Sequence, residues 1–358
     1  MWTRGARVAA VLVVALGACA PTPPEGVAFT RVDLPAGAVP QTVTAAGDGV
    51  LVGVRRGESP GLVKEGGGEV ALHGTTPYAL AANWYAVTVD GDRLLAVGGE
   101  RGGAHGNVRW SVWTGAGDEL TEQPQGFSVF GGWGAGELVD AVFTADGPVL
   151  VGSWQSDAAG LDIATWTTDG TTWTRQSSTG TALASTAVSP GFATSATAFG
   201  KGALVAGWRL DGGQRPVVWT SKSGARDWTA TALPDAGKSG GAVAARCAGE
   251  TCLVSGWVDG ALALWRLDGG TWSRLPGVPS VPVADDAPLP APVEIGGHLV
   301  QVASDGDRVV LLTRDGDRWT RRDARGPSGQ VVDAVVAGGA LHVLTRSEVW
   351  RVDTGSLG

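Results

Sequence analysis

The stretch Val149-Leu150-Val151-Gly152-Ser153-Trp154, followed after a polar loop by Ile163-Ala164-Thr165-Trp166-Thr167-Thr168-Asp169-Gly170-Thr171-Thr172-Trp173-Thr174-Arg175, decides the fold. Alternating apolar and polar positions on either side of Asp169-Gly170 spell two strands and a tight turn. Asp-Gly suits a two-residue type I′ hairpin, in which both central positions need positive φ. Folding the chain about that pair predicts Thr168 opposite Thr171, Thr167 opposite Thr172, and Trp166 opposite Trp173. A cross-strand aromatic pair of this kind adds roughly 0.2–1 kcal/mol over an alanine pair.

The pattern recurs. Trp265 and Trp272 are symmetric about Asp268-Gly269, and Leu312 and Trp319 about Asp315-Gly316. Trp219 and Trp228 flank Ser223-Gly224, while Trp113 and Leu120 flank Ala116-Gly117. Upstream of the hairpins lie apolar strands containing glycine, such as Leu94-Leu95-Ala96-Val97-Gly98 and Leu204-Val205-Ala206-Gly207-Trp208. Before each of these a further strand ends in a tight turn, as in Val89-Asp90-Gly91-Asp92-Arg93. Four short strands per unit, repeated, define the architecture before any residue-level argument.

Seven units follow, at about 39–74, 82–123, 138–178, 193–234, 241–276, 293–323 and 331–352. Spacing close to the roughly 40–50 residues of known propeller repeats, with four strands per unit, predicts an all-β, seven-bladed β-propeller. Length alone would suggest two domains, but blades bury their faces against neighbours and so form one. No amphipathic helix is expected within the repeats. The seventh unit has room for only three strands. The segment 29–34 has no hairpin partner nearby and reads like the outer strands that begin at Trp173, Trp228 and Trp272, with Phe29 in the tryptophan slot. It is therefore expected to pair antiparallel with Val349–Asp353 and close the ring from both ends of the chain.

The first residues form a targeting segment. Arg4 and Arg7 precede an apolar run from Val8 to Leu16 that is too short to span a bilayer. Leu16-Gly17-Ala18-Cys19 followed by Ala20-Pro21-Thr22-Pro23-Pro24 resembles a bacterial lipoprotein signal, whose lipobox sets a small residue before an invariant cysteine. The resemblance implies a signal peptide at 1–18, Cys19 as the first mature residue carrying acyl chains such as palmitate, a Pro-rich tether at 19–26 and a propeller at 27–355. It also implies anchorage on the outer face of the bacterial plasma membrane. The alternative is an ordinary secretory signal in which Cys19 is incidental.

Composition fits an exported chain. The 358 residues carry 27 Lys and Arg against 35 Asp and Glu, and losing Arg4 and Arg7 leaves a net charge of −10. An acidic chain without basic clusters argues against nucleic acid and against electrostatic docking on anionic lipid, so any membrane attachment is assigned to the N-terminal lipid. Beyond Cys19 only Cys247 and Cys252 remain. A turn at Gly249-Glu250 sets these two opposite each other, within disulfide range, as expected in an oxidising compartment. The histidines (His73, His105, His298 and His342) are scattered, and no metal or other cofactor is expected.

Four hairpins, at 167–173, 221–228, 267–272 and 314–319, resemble degenerate forms of the Asp-box, the Ser-x-Asp-x-Gly-x-x-Trp turn of sialidase-like propellers. Asp169, Asp268 and Asp315 depart from it in being followed at once by glycine. The motif is structural in that family, so the resemblance implies fold rather than catalysis. Sialidases also carry an Arg-Ile-Pro element, an arginine triad and a late Tyr–Glu pair. Here Arg215-Pro216 is the nearest approach, and the only tyrosines, Tyr78 and Tyr85, fall early. No P-loop or Ser-His-Asp order is evident.

Function is expected on the loops. The A–B and C–D connections of each unit read as tight glycine turns, whereas the D–A and B–C connections, which share one face, are long and varied. That face offers Tyr78, Trp84 and Tyr85, then the stretch from Phe127 to Trp133 with its Phe130, and Arg101 and His105, Asp157 and Asp162, and Arg209 and Arg215 in the B–C loops. Such loops are where propellers bind ligands. The expectation is a non-enzymatic binding or assembly module of the cell envelope, engaging a protein or glycan there. The alternative is a divergent sialidase-like carbohydrate-active hydrolase.

Overall fold

A computed structural model describes residues 26–102, 106–131 and 135–357. The expected signal, Cys19 and most of the tether lie outside these residues, as do His105 and Trp133.

Seven antiparallel blades surround a central channel. Each inner strand turns into the next through a two-residue loop: Ala46 pairs with Gly49, Asp90 with Arg93, Thr144 with Gly147, Phe199 with Gly202, Ala248 with Thr251, Ile295 with His298, and Ala337 with Ala340. Blades three, four and five are sheets of four consecutive strands. In the first blade the fourth position is taken by a single bridge from Val63 to Glu69. The chain then moves on, and Ala71–His73 runs parallel to Glu119–Glu122, the outer strand of blade two.

The C–D hairpins differ from the sequence reading in register. Trp166 pairs with Arg175 and Thr168 with Trp173. Likewise Trp265 pairs with Arg274, Leu312 with Arg321, Trp219 with Ala230, and Glu122 with Trp113. Every partner lies two residues later than the symmetric Asp-Gly reading predicts. In blades five and six the aspartate is the last strand residue and glycine opens the turn, at Gly269 and Gly316 (φ 54° each), and in blade two Gly117 (φ 61°) follows Ala116 in the same way; glycine adopts positive φ without a Cβ penalty. In blade three the loop is longer, since the Asp169 carboxylate accepts the N–H groups of Thr171 and Thr172 at 3.0 and 2.8 Å. A two-residue displacement preserves the pleat, so each tryptophan keeps its expected face.

Those faces make the core. Trp113, Trp166, Trp173, Trp219 and Trp265 are among the largest fully buried side chains, each sealed between neighbouring blades. Trp166 meets Trp154 edge-on, with centroids 5.3 Å apart, and Phe130 at 5.9 Å. Truncating a buried tryptophan of this kind costs about 3–5 kcal/mol.

Ring closure is by the N-terminal segment. Thr30 pairs with Arg351 and Arg31 with Trp350, and the Val32 N–H reaches the Val349 carbonyl at 2.8 Å. Phe29 is buried between blades six and seven, against Trp350. The segment also does something the repeat pattern does not announce: Val27–Ala28 runs parallel to Ala324 and Arg325, adding an edge to blade six. One short stretch therefore clasps two blades. Cys247 and Cys252 pair directly across Gly249-Glu250 and form the disulfide, with Cα atoms 4.1 Å apart.

Six of the seven inner strands carry a bulge at the same place, ahead of Thr42, Ala86, Asp140, Ser195, Ala244 and Asp333. A bulge bends a strand and increases its twist, which suits strands converging on a narrow axis. Side chains near the bulges tie neighbouring blades together. Gln41 bonds Asn83 and the Trp84 N–H, Asp140 accepts the Ala196 N–H, and Thr194 donates to the Ala242 carbonyl. Blade six has only a short inner strand, Val293–Ile295, preceded by Pro288, Pro290 and Pro292. There the Gln301 amide holds the Pro290 carbonyl, and Arg246 of blade five reaches past to the Ala334 carbonyl of blade seven.

Candidate functional site

Two concavities bear on the sequence candidates, one lined mainly by the inner strands and one by the third and fourth strands and long loop of blade two. The first is the central channel, about 680 Å³. Its wall includes Asp140, Asp333 and Arg246. Asp140 touches the channel space yet is ringed by protein. That desolvation, opposed by the N–H groups of Ala196 and Ala141, pushes its carboxyl up to about 7. Asp333 is pushed up to about 6 for the same reason, with the Arg246 guanidinium pulling the other way. Among the described residues no group of three or more His, Cys, Asp or Glu is arranged to hold a metal.

The second concavity is a groove of about 300 Å³ at the long-loop end of blade two, facing blade three. Its origin is local. The outer strand Glu119–Glu122 stops because Pro124 has no N–H with which to continue the ladder. Gln125 then ties the chain to blade three, donating to the Thr171 carbonyl at 2.8 Å and accepting the Trp173 N–H at 2.9 Å. Two single-turn helices flank the opening. Pro77–Leu80 is capped by the Thr76 hydroxyl, which accepts the Ala79 N–H, and Phe127–Phe130 starts after Gly126. Glu122 underpins the first helix. Burial pushes its carboxyl up, but hydrogen bonds from the backbone and hydroxyl groups of Thr75 and Thr76 outweigh this and hold it below the usual range.

The groove brings together Tyr78, Phe127 and Phe130 of the sequence reading, and adds Arg109 and Trp110, which that reading left in a strand. The Arg109 guanidinium lies 4.7 Å from the Phe127 ring centroid. Tyr85 stands on the channel side, packed edge-on against Trp110 at 4.7 Å, and burial raises its phenol pKa.

The remaining candidates are placed elsewhere. Trp84 is a correction: it is 4% exposed, its indole N–H donates to the Gly61 carbonyl, and it packs on Trp113 between blades one and two. Asp162 is likewise buried, its carboxylate accepting the Ser185 N–H at 2.6 Å. Asp157 accepts the Thr179 hydroxyl at 2.8 Å. Arg209 lies over Trp219 and donates to the Ala182 carbonyl, and Arg215 donates to the Gly237 carbonyl at 2.6 Å, so both brace loops. Arg101 reaches the Gly106 carbonyl within its own loop.

Fold and surface together define a seven-bladed propeller with one face of long, partly apolar loops. No protein-family model and no curated protein matches the chain. Solved structures do. The extracellular domain of a hybrid two-component system from B. thetaiotaomicron aligns over 90% of this chain at 11% identity and TM-score 0.56, and the chain spans 39% of that one. Virginiamycin B lyase from Staphylococcus aureus aligns over 91% of this chain and 98% of its own, at 10% identity and TM-score 0.53. YCF48 bound to a D1 peptide aligns over 91% and 95%, at 10% identity and TM-score 0.52. At such identities the likeness concerns the fold alone, and the fold hosts enzymes and binding proteins alike.

Proposed function

We propose that the chain is a non-enzymatic binding or assembly module of the bacterial cell envelope, exported and held at the membrane by lipid on Cys19, with its ligand on the long-loop face. One observation carries this reading. The exposed large apolar side chains among the described residues are Val39, Tyr78, Leu80, Tyr85, Phe127, Leu161, Val188 and Leu210, and all lie at the D–A and B–C end of the ring. The opposite end is polar, with ion pairs such as Lys64–Asp118 and Arg226–Asp146 at its turns. Apolar groups gathered on one pole are the mark of a surface that is covered in use. Protein recognition is in keeping with a fold that in YCF48 holds a peptide. Export is in keeping with the Cys247–Cys252 disulfide. Among the described residues no helix is long and apolar enough to cross a membrane, and attachment through Cys19 requires none.

Photo-crosslinking residues installed at Val188 and Leu210, and as controls at Asp92 and Glu250 on the polar end, test the reading in envelope preparations. Adducts confined to the first pair support it. Adducts from both ends alike, or turnover of a panel of chromogenic glycosides by the purified chain, would overturn it in favour of the hydrolase.

A further inference from the structure

The groove on blade two is a strand position that no described residue fills. The Val112 carbonyl accepts the N–H of Gln123 at 2.7 Å, the last bond between the two outer strands. Along a strand, alternate residues direct their backbone groups to the same edge. Trp110 therefore presents its N–H and carbonyl to the outer edge just beyond the point where Pro124 ends the ladder.

The same position is filled from within in other blades. Counting back three residues from the buried tryptophans Trp113, Trp166 and Trp265 gives Trp110, Ile163 and Leu262. The Ile163 N–H donates to the Leu183 carbonyl at 3.3 Å, and the Leu262 N–H to the Val281 carbonyl at 2.9 Å. Both partners belong to the D–A connection, which doubles back along the edge and buries Leu183 and Val281 between blades. In blade four the equivalent residue is Pro216, which has no N–H to satisfy, and its carbonyl takes the Leu233 N–H at 3.0 Å. Beside Trp110 no described residue supplies such a segment. The edge is instead flanked by Tyr78, Phe127 and Phe130, and by Arg109, whose guanidinium makes no hydrogen bond or ion pair among the described residues.

We propose that this edge receives an extended peptide segment of a partner protein by strand addition, with a carboxylate side chain of the peptide paired to Arg109 and an apolar neighbour set on Phe130. The inference rests on the long-loop face being the binding face. Backbone hydrogen bonds along an open edge supply affinity, and the flanking pockets supply selectivity. The guanidinium, stacked on an aromatic ring, keeps its N–H donors free for a planar carboxylate.

The probe is a fluorescein-labelled, end-capped hexapeptide TVVDVT, compared with TVVNVT and with a TVVDVT backbone N-methylated at alternate residues. Fluorescence polarisation with the full chain should show the acidic peptide binding roughly tenfold more tightly than its neutral counterpart. Arg109→Gln should bring the two to the same affinity, whereas Arg318→Gln on the polar end should change neither. The N-methylated peptide should fail to bind. Hydrogen exchange gives a second readout: the amides of Ile163 and Leu262 should be slow in the free protein, and that of Trp110 fast until peptide is added. No binding of TVVDVT, or binding indifferent to Arg109→Gln or to N-methylation, would overturn the proposal. Crosslinks at Val188 and Leu210, outside the groove, report on the binding face separately, so a peptide failure with those crosslinks present removes only this assignment.

Discussion

The Nε2 of His342 in blade seven lies 2.8 Å from Oε2 of Glu65 in blade one, while the other oxygen of Glu65 accepts from Arg351 at 2.9 Å. This lock closes the seam where the two ends of the repeat meet. His342 is 1% exposed. A carboxylate accepts only, so Nε2 carries the proton, and Nδ1 has no partner in its buried surroundings. Desolvation lowers the His342 pKa, against the opposing pull of Glu65. A histidine that titrates lower in the folded chain than in the unfolded one binds fewer protons when folded. Stability therefore falls as pH drops below the ordinary histidine range near 6.5. Urea unfolding at pH 7.5 and 5.5 should show a loss on acidification that is smaller in His342→Gln, and equal losses in both proteins would contradict the assignment.

Asp140 should give the opposite slope. Its two oxygens accept the N–H groups of Ala141 and Ala196 at 2.8 and 2.7 Å, which joins the inner strands of blades three and four. Asp140→Ala leaves both donors without their acceptor and should cost about 1–3 kcal/mol. Because its folded pKa is raised to about 7, the protonated form favours the folded state, and that contribution is lost as pH rises toward 7. The stability gap between the parent and Asp140→Ala should thus be wider at pH 5 than at pH 8. A gap that widens with pH would mean that the two N–H donors, not desolvation, govern this carboxyl.

Blade number, the disulfide and the ring closure were legible because each rests on spacing: the recurring tryptophans, the turn between Cys247 and Cys252, and an outer-strand motif without a partner at Phe29. The register of the C–D hairpins was not. Asp-Gly satisfies a two-residue turn with either residue leading: Asp259-Gly260, both at positive φ, form the turn between Val258 and Ala261, whereas Asp268 and Asp315 end their strands and leave the turn to the glycines that follow. The bulges were invisible to a reading by alternation, since each skips one residue within an otherwise regular strand. One signal did lie in plain view. Val139-Asp140-Ala141-Val142 and Val332-Asp333-Ala334-Val335 repeat the same four residues, and in both the aspartate bonds the N–H that follows it. Among the site residues, Tyr78 and Phe130 were found because aromatic residues in loops attract notice. Arg109 and Trp110 were missed because they read as ordinary strand. Their exposure to the groove depends on Pro124 ending a different strand.

The disulfide should be a modest contributor to stability. It closes a loop of few residues, for which chain-entropy reasoning gives about 2 kcal/mol at most. Mass mapping of oxidised protein should recover Cys247 and Cys252 in one linked peptide. The double variant Cys247→Ser with Cys252→Ser should still fold, with its urea midpoint lowered by an amount consistent with that figure. Failure to fold would assign the pair a larger role than loop closure.

The clasp makes the most demanding prediction, because one short segment serves two blades. Thr30 and Arg31 supply the fourth strand of blade seven, and without them Val349–Asp353 becomes an open edge, a template for pairing between molecules. Val27 and Ala28 cover the edge of blade six, and Phe29 is buried at the junction. The fit there is close. Gly326, at φ 117°, passes so near Trp350 that an added Cβ would sit 2.8 Å from the ring. Deleting 27–35 while retaining Cys19 and the Pro-rich segment should therefore lower the melting temperature sharply or cause aggregation. Phe29→Ala should do so more mildly, by about 3–5 kcal/mol at a buried aromatic, and Gly326→Val should mimic it without touching the segment. If the deletion variant melts with the parent and stays monomeric, the ring is held by the Glu65 lock and the valine-rich seam between blades seven and one, and the N-terminal segment serves only as a tether.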